Sequence, residues 1–216
     1  MNKQSKHLGI IPDGGRRWAR KNNVSYVEAY KLSFSRLYYL LLRAYGVGFS
    51  EVSIYVLSRD NLSRTPEELH AVYSGLPTLQ HTLENACADG FCESVIIAGH
   101  ISLLPDEQQT VFRQIEALHG QRGGLKVNLL VAYSAWDELH AAQKNGNEIT
   151  LESLWVTSKV DSVLRTGGSS LFSGFLPLQS QYAHLIATEE MFDDLSDCDF
   201  DRLLLKAAQI SHLFGK

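Results

Sequence analysis

With 216 residues, 44% of them hydrophobic and 20% charged, the chain has the size and composition of one globular α/β domain, residues 1–216, rather than two. A formal net charge of −4 excludes a nucleic-acid binder working through a general basic field, so any anion site must be local. The longest apolar run, Leu37 to Leu42, is too short to cross a bilayer, and no signal-peptide core follows Met1-Asn2-Lys3-Gln4-Ser5-Lys6. The expectation is a soluble, cytoplasmic protein without integral membrane association.

A first strand is predicted at Leu8–Ile11. It runs into Pro12-Asp13-Gly14-Gly15-Arg16-Arg17-Trp18, where a helix opens. Tyr30, Phe34, Leu37 and Leu41 then follow at helical spacing. The second strand, Val52–Leu57, leads into Ser58-Arg59-Asp60-Asn61-Leu62-Ser63-Arg64 and a helix carrying Leu69, Val72, Tyr73 and Leu76. Ser94–Ala98, a helix with Phe112, Ile115 and Leu118, and Lys126–Tyr133 continue the alternation. Ser162–Leu164 is the last predicted strand. Arg165-Thr166-Gly167-Gly168-Ser169-Ser170 follows it, and Phe200, Leu203, Leu204 and Ala207 mark a closing helix. Strands alternating with helices imply a mostly parallel sheet covered on both faces, with functional groups in loops at the carboxyl ends of strands.

Three such loops carry unusual chemistry. In the first, Gly14 and Gly15 let backbone N–H groups approach an anion, the helix start adds positive dipole, and Arg16 and Arg17 offer paired donors to phosphate oxygens. Asp13 beside a phosphate calls for a cation between them, and oxygen-seeking Mg²⁺ is the usual one. Alone, this loop reads equally as an Asp-Gly-Gly turn with solvated arginines. The second loop contributes Ser58, Asn61 and Arg64, and the third Arg165. Three arginine-bearing loops at strand ends of an acidic protein make a diphosphate site the better joint reading.

Other chemistries fail on spacing. There is neither GxxxxGK[ST] nor GxGxxG after the first strand, no nucleophile elbow around Ser169 and Ser170, and no aspartate-rich DDxxD motif. Cys87, Cys92 and Cys198 form no CxxC pair, and His7, His100 and His184 lack ligand partners at local spacing, so both sets read as structural.

His7-Leu8-Gly9-Ile10-Ile11-Pro12-Asp13-Gly14-Gly15-Arg16-Arg17-Trp18-Ala19 resembles the HxxxxxDGNxRWA signature of cis-prenyltransferases such as the undecaprenyl diphosphate synthases. Ser58 to Pro66 is similar to the family's SxENWxRP. Arg165-Thr166-Gly167-Gly168, with Ser173, Phe175, Gln179 and Tyr182, is similar to RTGGExRxSxFxxWQxxYxE. The extra arginine at position 16, Lys21 to Ser25, and Phe175-Leu176-Pro177-Leu178 give the chain its nearest likeness to the irregular lavandulyl and cyclolavandulyl diphosphate synthase branch.

The resemblance implies a sheet of about six strands flanked by helices, an apolar tunnel for a prenyl tail, and a homodimer. It implies Asp13 as the Mg²⁺-associated catalytic residue, with Gly14, Gly15, Arg17 and Arg64 gripping the allylic diphosphate. Arg165, Ser173 and Ser58 fall near a second diphosphate. Several family positions differ. Tyr26 and Tyr30 replace an arginine and a histidine, Leu62 a tryptophan, Ser169 a glutamate, and Leu171 an arginine. His184 replaces a metal-associated glutamate, and His212-Leu213-Phe214-Gly215-Lys216 stands where the family has RRFGG. The first site is thus largely kept and the second eroded. The expected substrates are short-chain prenyl diphosphates. Four outcomes stay open: irregular coupling to a second prenyl unit, with or without cyclisation, single-substrate terpene synthase chemistry, ordinary elongation with isopentenyl diphosphate, or a non-catalytic partner subunit.

Overall fold

A computed structural model describes residues 6–144 and 148–209; His212 to Lys216 lie outside the described residues. The first strand, β1 (His7–Ile11), is buried at every position, so both its faces are covered. It pairs with β2 (Glu51–Ser58) on one side and β5 (Ser162–Arg165) on the other. With β3 (Cys92–Ala98), β4 (Leu125–Tyr133) and β6 (His184–Ala187) it builds one all-parallel sheet of order β3-β4-β2-β1-β5-β6. Ile10 stands opposite Ile54 and Ile11 opposite Arg165, so the carboxyl ends of β1, β2 and β5 open side by side.

Helices α1 (Gly15–Asn22), α2 (Tyr26–Gly46), α3 (Pro66–Ala88), α4 (Asp106–Glu116), α5 (Ala135–Lys144) and α6 (Asp197–Gln209) connect and flank the strands. The two long ones start at capping boxes: Ser25 with Glu28 for α2, and Thr65 with Glu68 and Pro66 for α3. Phe34, Leu37, Leu40 and Leu41 from α2 and Val72, Leu76, Leu79 and Leu83 from α3 pack on Leu8, Ile10, Val52 and Ile54. Burying such a side chain stabilises the fold by about 1.5–3 kcal/mol, so this layer is the main source of stability.

The other face carries Ile11, Leu130, Tyr133 and Val163. Helices do not share the two faces equally. Here α5 and the mostly irregular stretches on either side of β5, residues 148–161 and 166–182, close the sheet, held by Glu138, which is 1% exposed. Its carboxylate accepts from Tyr133 Oη at 2.7 Å, Trp155 N–H at 3.0 Å, Val156 N–H at 3.3 Å and Gln179 Nε2 at 3.0 Å.

The five predicted strands are present, each one or two residues longer; β2 gains one residue at each end and the others grow at one end. The sixth, β6, carries no prediction: it is four residues long and exposed at both ends, giving almost no hydrophobic pattern. Leu118 lies just beyond α4. His7 is structural, as expected, buried between the hydroxyls of Ser53 at 2.8 Å and Ser158 at 2.9 Å; burial holds its pKa below the usual value. No helix among the described residues is long and apolar enough to cross a membrane.

Candidate active site

A cavity of about 450 Å³ opens where β1, β2 and β5 end. All ten residues expected at a diphosphate site line it: Asp13, Gly14, Gly15, Arg16 and Arg17 after β1, Ser58, Asn61 and Arg64 after β2, and Arg165 and Ser173 after β5. Its inner wall is apolar, with Ile11, Phe34, Leu37, Ile54, Val56 and Phe192.

The first loop is shaped by its glycines. Gly14 has φ +113°, and a Cβ there would stand 2.6 Å from the Met191 side chain, so only glycine lets the chain turn into α1 at this point. Asp13 is fixed on several sides. Its N–H donates to Thr166 Oγ1 at 2.9 Å, Thr166 Oγ1 donates to its carbonyl at 2.7 Å, and Gly14 N–H donates to Oδ1 at 2.7 Å. Arg165 Nη2 donates to Oδ2 at 2.9 Å, while Arg17 Nη2 stands 3.8 Å from Oδ1.

The arginines are not equivalent. Arg17 donates to the Gly167 carbonyl at 2.7 Å and remains half-exposed. Gly167 has φ +80°, and a Cβ there would stand 2.6 Å from Arg17 Nη2, so this glycine makes room for the guanidinium. Arg64 donates to Tyr30 Oη at 3.0 Å. Arg165 is 7% exposed; it binds Ser173 Oγ at 2.7 Å and the Leu171 carbonyl, and its Nε has no partner among the described residues.

Arg16 lines the cavity but is already paired. Its guanidinium pairs with Glu68, the capping glutamate of α3, which raises the Arg16 pKa above its usual value. Its charge is partly neutralised before any ligand arrives, and the pair ties the first loop to α3. Ser58 and Asn61 brace the second loop reciprocally: Ser58 N–H donates to Asn61 Oδ1 at 3.3 Å and Asn61 N–H to Ser58 Oγ at 3.1 Å.

Leu171 and His184 part company in the structure. Leu171 stays near Arg165 through its carbonyl, but its side chain is 68% exposed. His184 begins β6 opposite Ser162, at the end of the sheet away from the cavity, and does not line it. Within one chain, the expectation that both mark the same second site is therefore corrected: the strand direction separates them.

Sequence reasoning missed Arg20, Tyr55, Ser33 and Asp193. Arg20 lines the cavity one turn beyond Arg16, and the period of α1 was signal enough to find it. Tyr55, pushed up to about 12 by burial, also lines the wall. Ser33, on α2, donates to both oxygens of Asp193 at 2.7 and 2.9 Å. Asp193 is 6% exposed, and burial pushes its carboxyl up to about 6 although Ser33 and Arg36 favour ionisation. No local motif marks a contact across 160 positions.

A carboxylate ringed by guanidinium groups at the mouth of an apolar cavity, on the carboxyl ends of parallel strands, defines an α/β enzyme built for an anionic head with an apolar tail. The family described as putative undecaprenyl diphosphate synthase matches residues 11–215, and the chain belongs to that cis-prenyltransferase family of enzymes. It is 29% identical to the (2Z,6E)-farnesyl diphosphate synthase of Mycolicibacterium smegmatis, over 98% of this chain and 88% of the relative. With the isoprenyl transferase of Campylobacter jejuni it shares 28% identity over 98% of both. Two solved structures share the fold over the full length of both chains. The lavandulyl diphosphate synthase of Lavandula x intermedia, in complex with dimethylallyl diphosphate, has a TM-score of 0.87 at 21% identity. A probable undecaprenyl diphosphate synthase from Campylobacter jejuni has a TM-score of 0.75 at 23% identity.

Proposed function

We propose that this chain, as a cytoplasmic homodimer, ionises a short allylic diphosphate such as dimethylallyl or geranyl diphosphate and couples the cation to a second prenyl unit in an irregular condensation, with or without ring closure. The observation that carries the reading is the gathering of Asp13 and five arginines, Arg16, Arg17, Arg20, Arg64 and Arg165, around one cavity whose inner wall is apolar.

Arg17, Arg64 and the N–H groups of the glycine loop would grip the departing diphosphate. Arg16, already paired, would hold the loop in place. The residues fit Mg²⁺ in its common manner, one exposed carboxylate plus substrate oxygens: Asp13 is 40% exposed, and among the described residues no other carboxylate lines the cavity. Asp13 would hold the ion, which when bound neutralises charge on the leaving group. Phe34, Leu37, Ile54 and Val56 would exclude water from the allylic cation.

A neighbouring cavity of about 570 Å³, sharing Tyr55 and Ser173 with the first, offers space for the second prenyl unit. Its lining includes one cationic side chain, Arg59, which pairs with Asp137 at 2.6 Å. That pairing, with the outward-facing Leu171, favours a second reading, in which one substrate ionises and its cation cyclises, loses a proton or takes up water.

The experiment is mass analysis of products from dimethylallyl, geranyl and farnesyl diphosphates, each with and without isopentenyl diphosphate, alongside diphosphate release. Coupled C10 to C15 products support condensation. Uncoupled products support the second reading. No diphosphate release from any of them overturns both.

A further inference from the structure

The cavity wall has a polar zone of guanidinium groups and N–H donors and an apolar zone, and among its hydroxyl side chains Ser33 is set apart by its partner, a buried carboxylate, whereas Ser58 pairs with Asn61, Ser173 accepts from Arg165 and Tyr30 accepts from Arg64. Ser33 projects from α2 between the two zones, one residue before Phe34, and its hydroxyl proton is directed away from the cavity region toward both oxygens of Asp193, at 2.7 and 2.9 Å. A hydroxyl that donates elsewhere offers lone pairs to its other side. Such a group is poorly matched to holding an anion and well matched to an electron-poor carbon or the proton beside it.

The placement is fixed from below. Asp193 lies in a turn after β6 whose neighbour, Phe192, donates its N–H to the Asp13 carbonyl at 3.2 Å. A Cβ built on Gly15 would stand 3.7 Å from Ser33 Oγ and 3.5 Å from Asp193 Oδ2, so the pair sits directly beneath the start of α1. Arg36, one turn further along α2, faces the Asp193 carboxylate and favours its charged form; the adjacent Asp194 opposes it.

We propose that Ser33 is the proton acceptor that ends the reaction, with Asp193 as the positioning residue that receives the serine's proton. The inference rests on the function proposed above, in either of its two forms. A C–H bond on the carbon next to the cationic centre breaks, and its electron pair becomes the new carbon–carbon double bond. The proton passes to Ser33 Oγ as that oxygen gives its own proton to Asp193. The resulting carboxylic acid returns the proton to water between turnovers, and no other reactant is needed. The pair thereby sets whether the cation ends as an alkene or is captured by water as an alcohol.

The test compares wild type, Ser33→Ala, Asp193→Asn and Ser33→Thr, each supplied with dimethylallyl or geranyl diphosphate. The readout is proton-loss product against alcohol, per diphosphate released, so that a change in overall rate does not enter. The expected result is a fall of about tenfold or more in that ratio for Ser33→Ala and Asp193→Asn, with the ratio kept by Ser33→Thr. Asp193→Asn preserves shape and carries the test if Ser33→Ala does not fold. An unchanged ratio in folded Asp193→Asn overturns the inference, whatever happens to the rate. So does a wild type that releases diphosphate but forms no proton-loss product, a result that leaves the proposed function standing. A wild type that releases no diphosphate overturns the proposed function, and this inference falls with it.

Discussion

Arg165 Nη2 binds Asp13 Oδ2 at 2.9 Å, joining the ends of β1 and β5 across 152 positions of sequence. The arginine is buried and the aspartate 40% exposed, so the pair serves the mouth of the cavity more than the core. Asp13→Ala should therefore fold but lose diphosphate release by about a thousandfold or more. Leaving Arg165 unpaired should cost about 1–3 kcal/mol, seen as a fall of several degrees in Tm. A folded Asp13→Ala protein with wild-type turnover would refute the proposed role.

Tail length should be set by the inner wall. A Cβ on Gly75 would stand 2.8 Å from the Phe34 ring, so that ring fills the space between α2 and α3, and Val56 narrows the wall beside it. Phe34→Leu and Val56→Ala should each raise kcat/KM for farnesyl over geranyl diphosphate by about fivefold or more, within the range that one or two methylene groups confer. Each should cost roughly 1 kcal/mol in stability. Competition between the two substrates measures the ratio; no shift in either variant would place the limit elsewhere.

Stability should carry the signature of Asp193. Its carboxyl titrates at about 6 in the folded chain against an ordinary 3.8, because burial disfavours the charge; Ser33 and Arg36 of α2 ease that cost and the adjacent Asp194 adds to it. An acid with a raised folded value destabilises the fold once ionised. The cost is absent below about pH 4, grows through pH 4 to 6, and is complete above that. Asp193→Asn should therefore be more stable than wild type by roughly 1–3 kcal/mol at pH 8, with the gain vanishing near pH 4. Urea unfolding of both proteins at the two pH values checks the sign; an equal gain at both would show that charge is not the cause.

Leu171→Arg should strengthen use of a second diphosphate. The Leu171 carbonyl already touches Arg165, so a guanidinium here joins an existing cationic edge. At an exposed position the gain should sit near the low end of charge-assisted contacts, about 1.5 kcal/mol or tenfold in occupancy. The ratio of condensed to single-substrate product, at matched concentrations with isopentenyl diphosphate, should rise accordingly. A ratio that stays level would mean that this edge does not meet the second substrate.

The parts of this architecture that were legible in the sequence share one property: their signal is local. β1 reads as an apolar run and β4 ends in one, Leu129 to Tyr133, while Asp13-Gly14-Gly15-Arg16-Arg17 places a carboxylate, two glycines and two arginines within five positions. β6 has no such local signal, because the four-residue edge strand His184–Ala187 borrows its conformation from β5 and alternates too briefly to show a period. The Glu138 hub and the Ser33–Asp193 pair escaped for a different reason. Each depends on which distant segments the sheet order brings together, and a lone Ser on a helix or Glu after a strand has many uses. Arg16 shows the same limit from the other side: its place at the cavity was legible locally, but its pairing with the capping Glu68 of another element was not.

The strand order has a consequence for how the molecule comes into being. Of the six strands described, β1 is the first to be synthesised and lies near the middle of the sheet, yet its partners arrive only with β2 and, much later, β5. Pairing across such separations is slow to form because long loops must close first. A growing chain therefore holds Pro12-Asp13-Gly14-Gly15 without Arg165, and without the Phe192 N–H that clasps the Asp13 carbonyl, until nearly all of the described sequence has been made. Competence to bind substrate is in this sense a report of completion: an unfinished or shortened chain presents the signature loop but no assembled pocket behind it.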